Sequence, residues 1–192
     1  VVLYRYLHNG AGVALGDINN DGLVDIYFTA NFGDNKLFLN KGNMKFEEIA
    51  KKAGVIGNFG WSNGVTMVDI NGDGLLDIYV CRAGDVPPEK RKNELFINLG
   101  NLTFSEQAES YGLADSAYST QATFFDYDLD GDLDMYLLNH PIVTFSTKDY
   151  DDAIKNENGN AHPNTSDKLY RNNNSKFVDV SEEAGLRRNG IG

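Results

Sequence analysis

The chain has 192 residues, 41 % of them hydrophobic, with a formal charge of −11 and a single cysteine. That apolar content supports a buried core, while the acidity excludes the basic footprint that nucleic-acid binding requires. One cysteine, Cys81, excludes an intrachain disulfide and reads as a small core residue; there is neither a transmembrane run nor a signal peptide, so targeting information is expected to lie outside this sequence.

The first predicted element is a short strand, 13–15. It runs into Asp17-Ile-Asn19-Asn-Asp21-Gly22-Leu23-Val-Asp25. Oxygens at positions 1, 3, 5 and 9 and a carbonyl at 7 can wrap a hard divalent ion if position 6 turns sharply, which glycine does without steric penalty. The following Asp25-Ile-Tyr-Phe-Thr is rich in β-formers and reads as a second strand. Lys36-Leu-Phe-Leu-Asn40 reads as a third and Lys45-Phe46 opens a fourth, and Ala53-Gly54-Val55 closes the unit.

The same order then recurs twice. Strand 65–68 leads into Asp69-Ile-Asn71-Gly-Asp73-Gly74-Leu75-Leu-Asp77, then Asp77-Ile-Tyr-Val, Glu94-Leu-Phe-Ile-Asn98, Thr103-Phe104 and Tyr111-Gly112-Leu113. Strand 122–125 leads into Asp126-Tyr-Asp128-Leu-Asp130-Gly131-Asp132-Leu-Asp134, then Asp134-Met-Tyr-Leu-Leu, Lys168-Leu-Tyr-Arg-Asn172, Lys176-Phe177 and Ala184-Gly185-Leu186. An EF-hand would close with Glu at position 12 between helices; here Phe28, Val80 and Leu137 stand there, inside strands. The competing reading of each loop is an Asp-Gly hairpin turn without metal. Charge favours the metal, because the loops hold 3, 3 and 5 aspartates and the rest of the chain is neutral.

Four antiparallel strands per unit of about 50 residues is the pattern of a β-propeller blade. The fold class is therefore all-β: three blades at residues 9–55, 56–113 and 114–186, with 187–192 beginning a further one. With these motifs the chain resembles the FG-GAP/VCBS repeat class, the calcium-loop blades of integrin α-subunits and of large bacterial surface proteins, and most of all the bacterial branch, whose repeats often precede an ASPIC/UnbV-type module. The resemblance implies a seven-bladed whole, closed by the rest of a longer chain or by assembly partners. It implies three Ca²⁺ ions: on Asp17, Asn19, Asp21, the Leu23 carbonyl and Asp25; on Asp69, Asn71, Asp73, the Leu75 carbonyl and Asp77; and on Asp126, Asp128, Asp130, the Asp132 carbonyl and Asp134. It also implies export to the cell surface, the extracellular space or the periplasm.

Length variation falls in the loop between the second and third strands, greatest in the insertion 139–167, and function is carried by variable loops on constant frames. The candidate contacts for a protein or polysaccharide partner are Phe59, Trp61, Tyr118, His140, Tyr150 and His162. For Trp61 and Tyr118 the competing role is packing between blades. No spacing matches a catalytic or zinc motif such as H-E-x-x-H, so the expectation is a non-catalytic calcium-binding scaffold; the alternative is a carbohydrate-active or cofactor-dependent propeller enzyme.

Overall fold

The computed structural model describes residues 11–58, 60–84, 86–140 and 164–186. Strands β1 (Val13–Gly16), β2 (Asp25–Phe28), β3 (Lys36–Asn40) and β4 (Phe46–Glu48) form one antiparallel sheet in chain order. Strands β5 (Trp61–Val68), β6 (Asp77–Ala83), β7 (Glu94–Asn98) and β8 (Phe104–Glu106) form a second, and β9 (Ser119–Phe125), β10 (Asp134–Asn139), β11 (Lys168–Asn172) and β12 (Phe177–Asp179) a third. These are three four-stranded blades that do not close into a ring among the described residues. Consecutive antiparallel order puts the acidic loops and the turns between third and fourth strands at one end of each blade, and the other connections at the opposite end.

Two features differ from the sequence reading. Strand β5 begins at Trp61 instead of 65 and β9 at Ser119 instead of 122. The polar residues 62–64 lack strand alternation and the β5–β6 register shifts between Ser62 and Val65, but neighbouring backbone keeps them extended: Ser62 N–H donates to the Ala30 carbonyl, and the Asn63 carbonyl accepts from Gly12 N–H at 3.1 Å. Single helical turns, α1 (Ala50–Ala53) and α2 (Ala108–Tyr111), also follow the fourth strands of the first two blades. So short a helix has no stability of its own; burial of Ala50, Ala53 and Ala108 and left-handed Gly54 and Gly112 at the C-termini hold it.

The blades stack face to face. In blade 1, Ala14, Tyr27, Leu37 and Leu39 point one way and pack against Val65, Ile78, Val80, Phe96 and Phe104 of blade 2. The other face of blade 2, with Tyr79, Cys81, Leu95 and Ile97, packs against Ala122, Met135, Leu137, Tyr170 and Phe177 of blade 3. Cys81 is fully buried there, as expected of a core residue. Period-two side-chain alternation gives each sheet two apolar faces, and each face meets the opposite kind on its neighbour. Tyrosine hydroxyls reach past these faces to the next linker, Tyr27 to the Val55 carbonyl at 2.6 Å and Tyr79 to that of Leu113 at 3.0 Å. The face of blade 1 that corresponds to the buried Ile78, Val80 and Phe104 is uncovered: Val13 is 55 %, Leu15 62 % and Phe28 42 % exposed.

Close approach of β5 and β9 depends on Gly64, where a Cβ would lie 2.0 Å from Gln121 Oε1 and 2.3 Å from the Thr120 carbonyl oxygen. Gly64→Ala is expected to destabilise the chain by about 1–3 kcal/mol through overpacking, read as a lower denaturation midpoint at unchanged slope. An unchanged midpoint would show that the two strands can move apart freely.

Candidate metal centres

Each acidic loop is folded around its first aspartate. Asp17 accepts the N–H of Asp21 on one oxygen and that of Gly22 on the other, at 3.1 and 2.7 Å. Asp69 accepts those of Asp73 and Gly74, at 3.0 and 2.8 Å, and Asp126 those of Leu129 and Gly131, at 2.7 and 3.1 Å. The fifth-position carboxylate turns back to the seventh-position N–H: Asp21 to Leu23, Asp73 to Leu75, Asp130 to Asp132. Both bonds need the chain to reverse at position 6, where Gly22, Gly74 and Gly131 have φ of 84°, 85° and 97°, a region costly for residues with a Cβ.

The ninth-position aspartates do something the sequence reading did not assign. Asp25, Asp77 and Asp134 are fully buried, and each accepts two backbone N–H groups. Asp25 takes those of Ile18 (3.0 Å) and Asn40 (2.8 Å), Asp77 those of Ile70 (3.1 Å) and Asn98 (2.7 Å), and Asp134 those of Tyr127 (3.0 Å) and Asn172 (2.8 Å). The asparagine that ends each third strand completes the clamp, its side chain donating to the Val24, Leu76 and Leu133 carbonyls respectively. Recurrence of this asparagine in all three units was the signal available in the sequence. A second recurring clamp sits at the opposite end, where Asn35, Asn93 and Asp167 accept the N–H groups of Ala30, Arg82 and Asn139.

The donor set fits a hard cation, being made of oxygens alone. In the third loop, carboxylate oxygens of Asp126, Asp128 and Asp130 lie within 4.8 Å of one another. In the first, Asn19 donates its amide to Asp21 Oδ2 while its own Oδ1 is buried with no hydrogen-bond partner, the condition of an oxygen set aside for a ligand. Asp132 and Asp134 stand outside the three-carboxylate group. The loops' electrostatics are uneven. Loss of water, then the charges of Asp130 and Asp134, raises the Asp128 carboxyl above its ordinary value. At Asp17 desolvation also pulls upward, but the N–H groups of Gly22 and Asp21 help bring the net shift below the usual carboxylate value.

Of the candidate partner contacts, Phe59, Tyr150 and His162 lie outside the described residues, as do 141–163 of the insertion and 187–192. Trp61 is only 8 % exposed and packs edge-on against Phe32, with ring centroids 5.0 Å apart, so packing is its evident role; Phe32, at 73 % exposure, is the aromatic presented on this side. Tyr118 is half-buried, with the Arg91 guanidinium 3.9 Å from its ring centroid. His140 donates its N–H to the Tyr118 carbonyl. Of the three consecutive basic residues 90–92, Arg91 is buried and donates to the Ser116 and Val86 carbonyls, and Lys92 pairs with Glu109.

Burial, reinforced by Asp73 and Asp69, pushes the Asp77 carboxyl from 3.8 up to about 6, against the N–H groups of Asn98 and Ile70. The folded, metal-free chain therefore takes up this proton more readily than the unfolded chain. Its contribution is full below pH 3.8 and is lost as the pH rises through about 6. In chelator, the melting temperature of the unsubstituted chain should fall across that window more steeply than that of Asp77→Asn; equal slopes would remove Asp77 as the titrating group.

The FG-GAP-like repeat family matches residues 17–80. Cartilage acidic protein 1 of Xenopus tropicalis is 41 % identical over 69 residues, 36 % of this chain and 11 % of that protein. The Homo sapiens protein of the same name is 29 % identical over 150 residues, 78 % of this chain and 22 % of that protein. The chain thus spans a fifth or so of these relatives at most. They are vertebrate proteins and lend no support to the expectation of a bacterial source. No helix among the described residues is long and apolar enough to cross a membrane. Over residues 17–80 the chain is similar to FG-GAP-like repeats, and the same acidic loop and four-stranded blade recur in its third sheet.

Proposed function

We propose that the chain is a calcium-stabilised, non-catalytic scaffold of stacked blades that works outside the cell, presenting the connections between its second and third strands to a protein or polysaccharide partner. The observation that carries this reading is the convergence of Asp126, Asp128 and Asp130 within 4.8 Å, on a loop built like the two others. Bound Ca²⁺ supplies the positive charge that these loops lack. The chain's own part is to hold the carboxylates together in its absence: two unit charges at 4 Å repel by about 1 kcal/mol even in bulk water, and backbone N–H groups oppose that repulsion. The relatives' printed name, which refers to cartilage, supports an extracellular setting. The uncovered apolar face at Val13, Leu15 and Phe28 supports assembly, since the equivalent face of blades 2 and 3 is buried by a neighbour.

Calcium should raise the melting temperature and chelator lower it, with stabilisation of about 2.7 kcal/mol at a hundredfold excess over the dissociation constant. The third loop offers four ligand aspartates where the others offer three and an asparagine, so charge should make it the tightest site; Asp128→Asn should weaken that site alone in a calcium titration. A melting temperature indifferent to calcium would sink the scaffold's metal dependence, and a chelator-sensitive catalytic activity would replace the scaffold with an enzyme.

For the assembly part, Phe28→Asp should reduce association through the blade 1 face, read by sedimentation, while leaving the calcium-dependent melting shift in place. Unchanged association would remove that face from the proposal.

A further inference from the structure

Three Asn-x-Ser/Thr tripeptides occur in the chain: Asn101-Leu102-Thr103, Asn164-Thr165-Ser166 and Asn173-Asn174-Ser175. Each has the acceptor pattern for N-linked sugar in a secreted protein. Short patterns of this kind also arise by chance, so the fold has to separate them. Asn101 stands at the tip of the turn between β7 and β8, and both it and Thr103 are exposed. The turn closes on its backbone and on Asn98: Leu99 N–H donates to the Thr103 carbonyl at 2.9 Å, Thr103 N–H to the Gly100 carbonyl at 3.1 Å, and Gly100 N–H to Asn98 Oδ1 at 3.0 Å. Among the described residues the Asn101 side-chain amide makes no hydrogen bond. It is held in place by the turn and left open to solvent.

Asn173 is exposed in the corresponding turn between β11 and β12, where its backbone N–H donates to the Lys176 carbonyl at 2.9 Å. Asn164 differs. It is half-buried, its carbonyl accepts the Tyr118 N–H at 3.2 Å, and Thr165 and Ser166 after it are only 8 % and 5 % exposed. A bulky, hydrophilic sugar belongs on the surface, and only the other two asparagines offer it one. Blade 1 supplies an internal control, because Asn43 has the same φ as Asn101, 52°, but Lys45 stands where Thr103 does. We propose that Asn101 and Asn173 carry N-linked oligosaccharides, a reading that rests on the extracellular setting proposed above. The asparagine Nδ2 attacks the anomeric carbon of an oligosaccharide carried on a lipid diphosphate. A C–N bond replaces the sugar's C–O bond to phosphate, the lipid diphosphate leaves with the bonding electrons, and the amide loses one proton. Both sugars stand at the acidic end of the blades, so the connections between second and third strands stay open to a partner.

The test is mass spectrometry of the full chain recovered from the cells that make it and from their medium. Peptides are treated with peptide N-glycosidase in heavy-oxygen water, which leaves a labelled aspartate wherever a sugar was attached. Label at Asn101 and Asn173, with none at Asn43 or Asn164, is expected. Thr103→Ala should remove the label at Asn101 alone and Thr103→Ser should keep it, since the acceptor pattern needs a hydroxyl at that position. A chain in the medium without label at Asn101 and Asn173 overturns the proposal and leaves the extracellular reading standing, whereas an unlabelled chain found only inside the cells overturns both. Label at Asn164 in place of Asn101 also overturns it, because burial would then not have separated the three.

Discussion

Everything in each blade hangs on a carboxylate that reads in the sequence as the last ligand of a metal loop. Asp25, Asp77 and Asp134 are the first residues of second strands, wholly buried, and each holds the second residue of its loop and the last residue of its third strand through two backbone N–H groups. Chain corners expose backbone donors that must be paired once buried; each carboxylate pairs one donor seven residues before it and another 15, 21 or 38 residues after it. The acidic loop is therefore shaped by the same residue that orients the third strand. A cation added to such a loop would act on an arrangement already fixed to the sheet.

The order of strands was legible because its markers are local: aspartates and a glycine at fixed offsets, then alternating apolar residues. Alternation failed at residues 61–64, where the strand is held by hydrogen bonds to Ala30 and Gly12 of another blade that no local pattern encodes. The helical turns at Ala50 and Ala108 escaped for a similar reason, being stabilised by burial under the sheets. Among the candidate site residues, the carboxylates of the third loop do converge, and Trp61, read both as a partner contact and as packing between blades, is packed against Phe32. An aromatic side chain announces large contact area and not where that contact is made.

The two ends of the blades differ in kind. At the acidic end the first two loops share their hydrogen bonds, and the third keeps those to Gly131, Asp132 and Asp134 while taking the Leu129 N–H where the others take that of their fifth residue; asparagine side chains bridge blades there, Asn98 to the Ile18 carbonyl and Asn20 to that of Gly74. At the other end each connection has its own length and contacts: Phe32 on Trp61, Arg91 on Tyr118, Asn93 linking Tyr79 and Ser119. One end repeats because it holds the sheets in place; the other is free to vary because the opposite clamps at Asn35, Asn93 and Asp167 already fix where each loop starts and ends.

The unlike faces of the sheets give the stack a direction. Tyr27, Leu37 and Leu39 of one blade meet Ile78, Val80 and Phe96 of the next, and the same sense continues from blade 2 to blade 3. Two copies joined by a two-fold axis through the Phe28 face would set like against like, matching none of the contacts between blades. Assembly in register, as proposed above, would instead be head-to-tail, a heterologous interface that ends only by bending into a ring or by meeting a cap. The proposed association through this face would thus be polar, and a soluble competitor for it would need the tyrosine-and-leucine surface of a single blade.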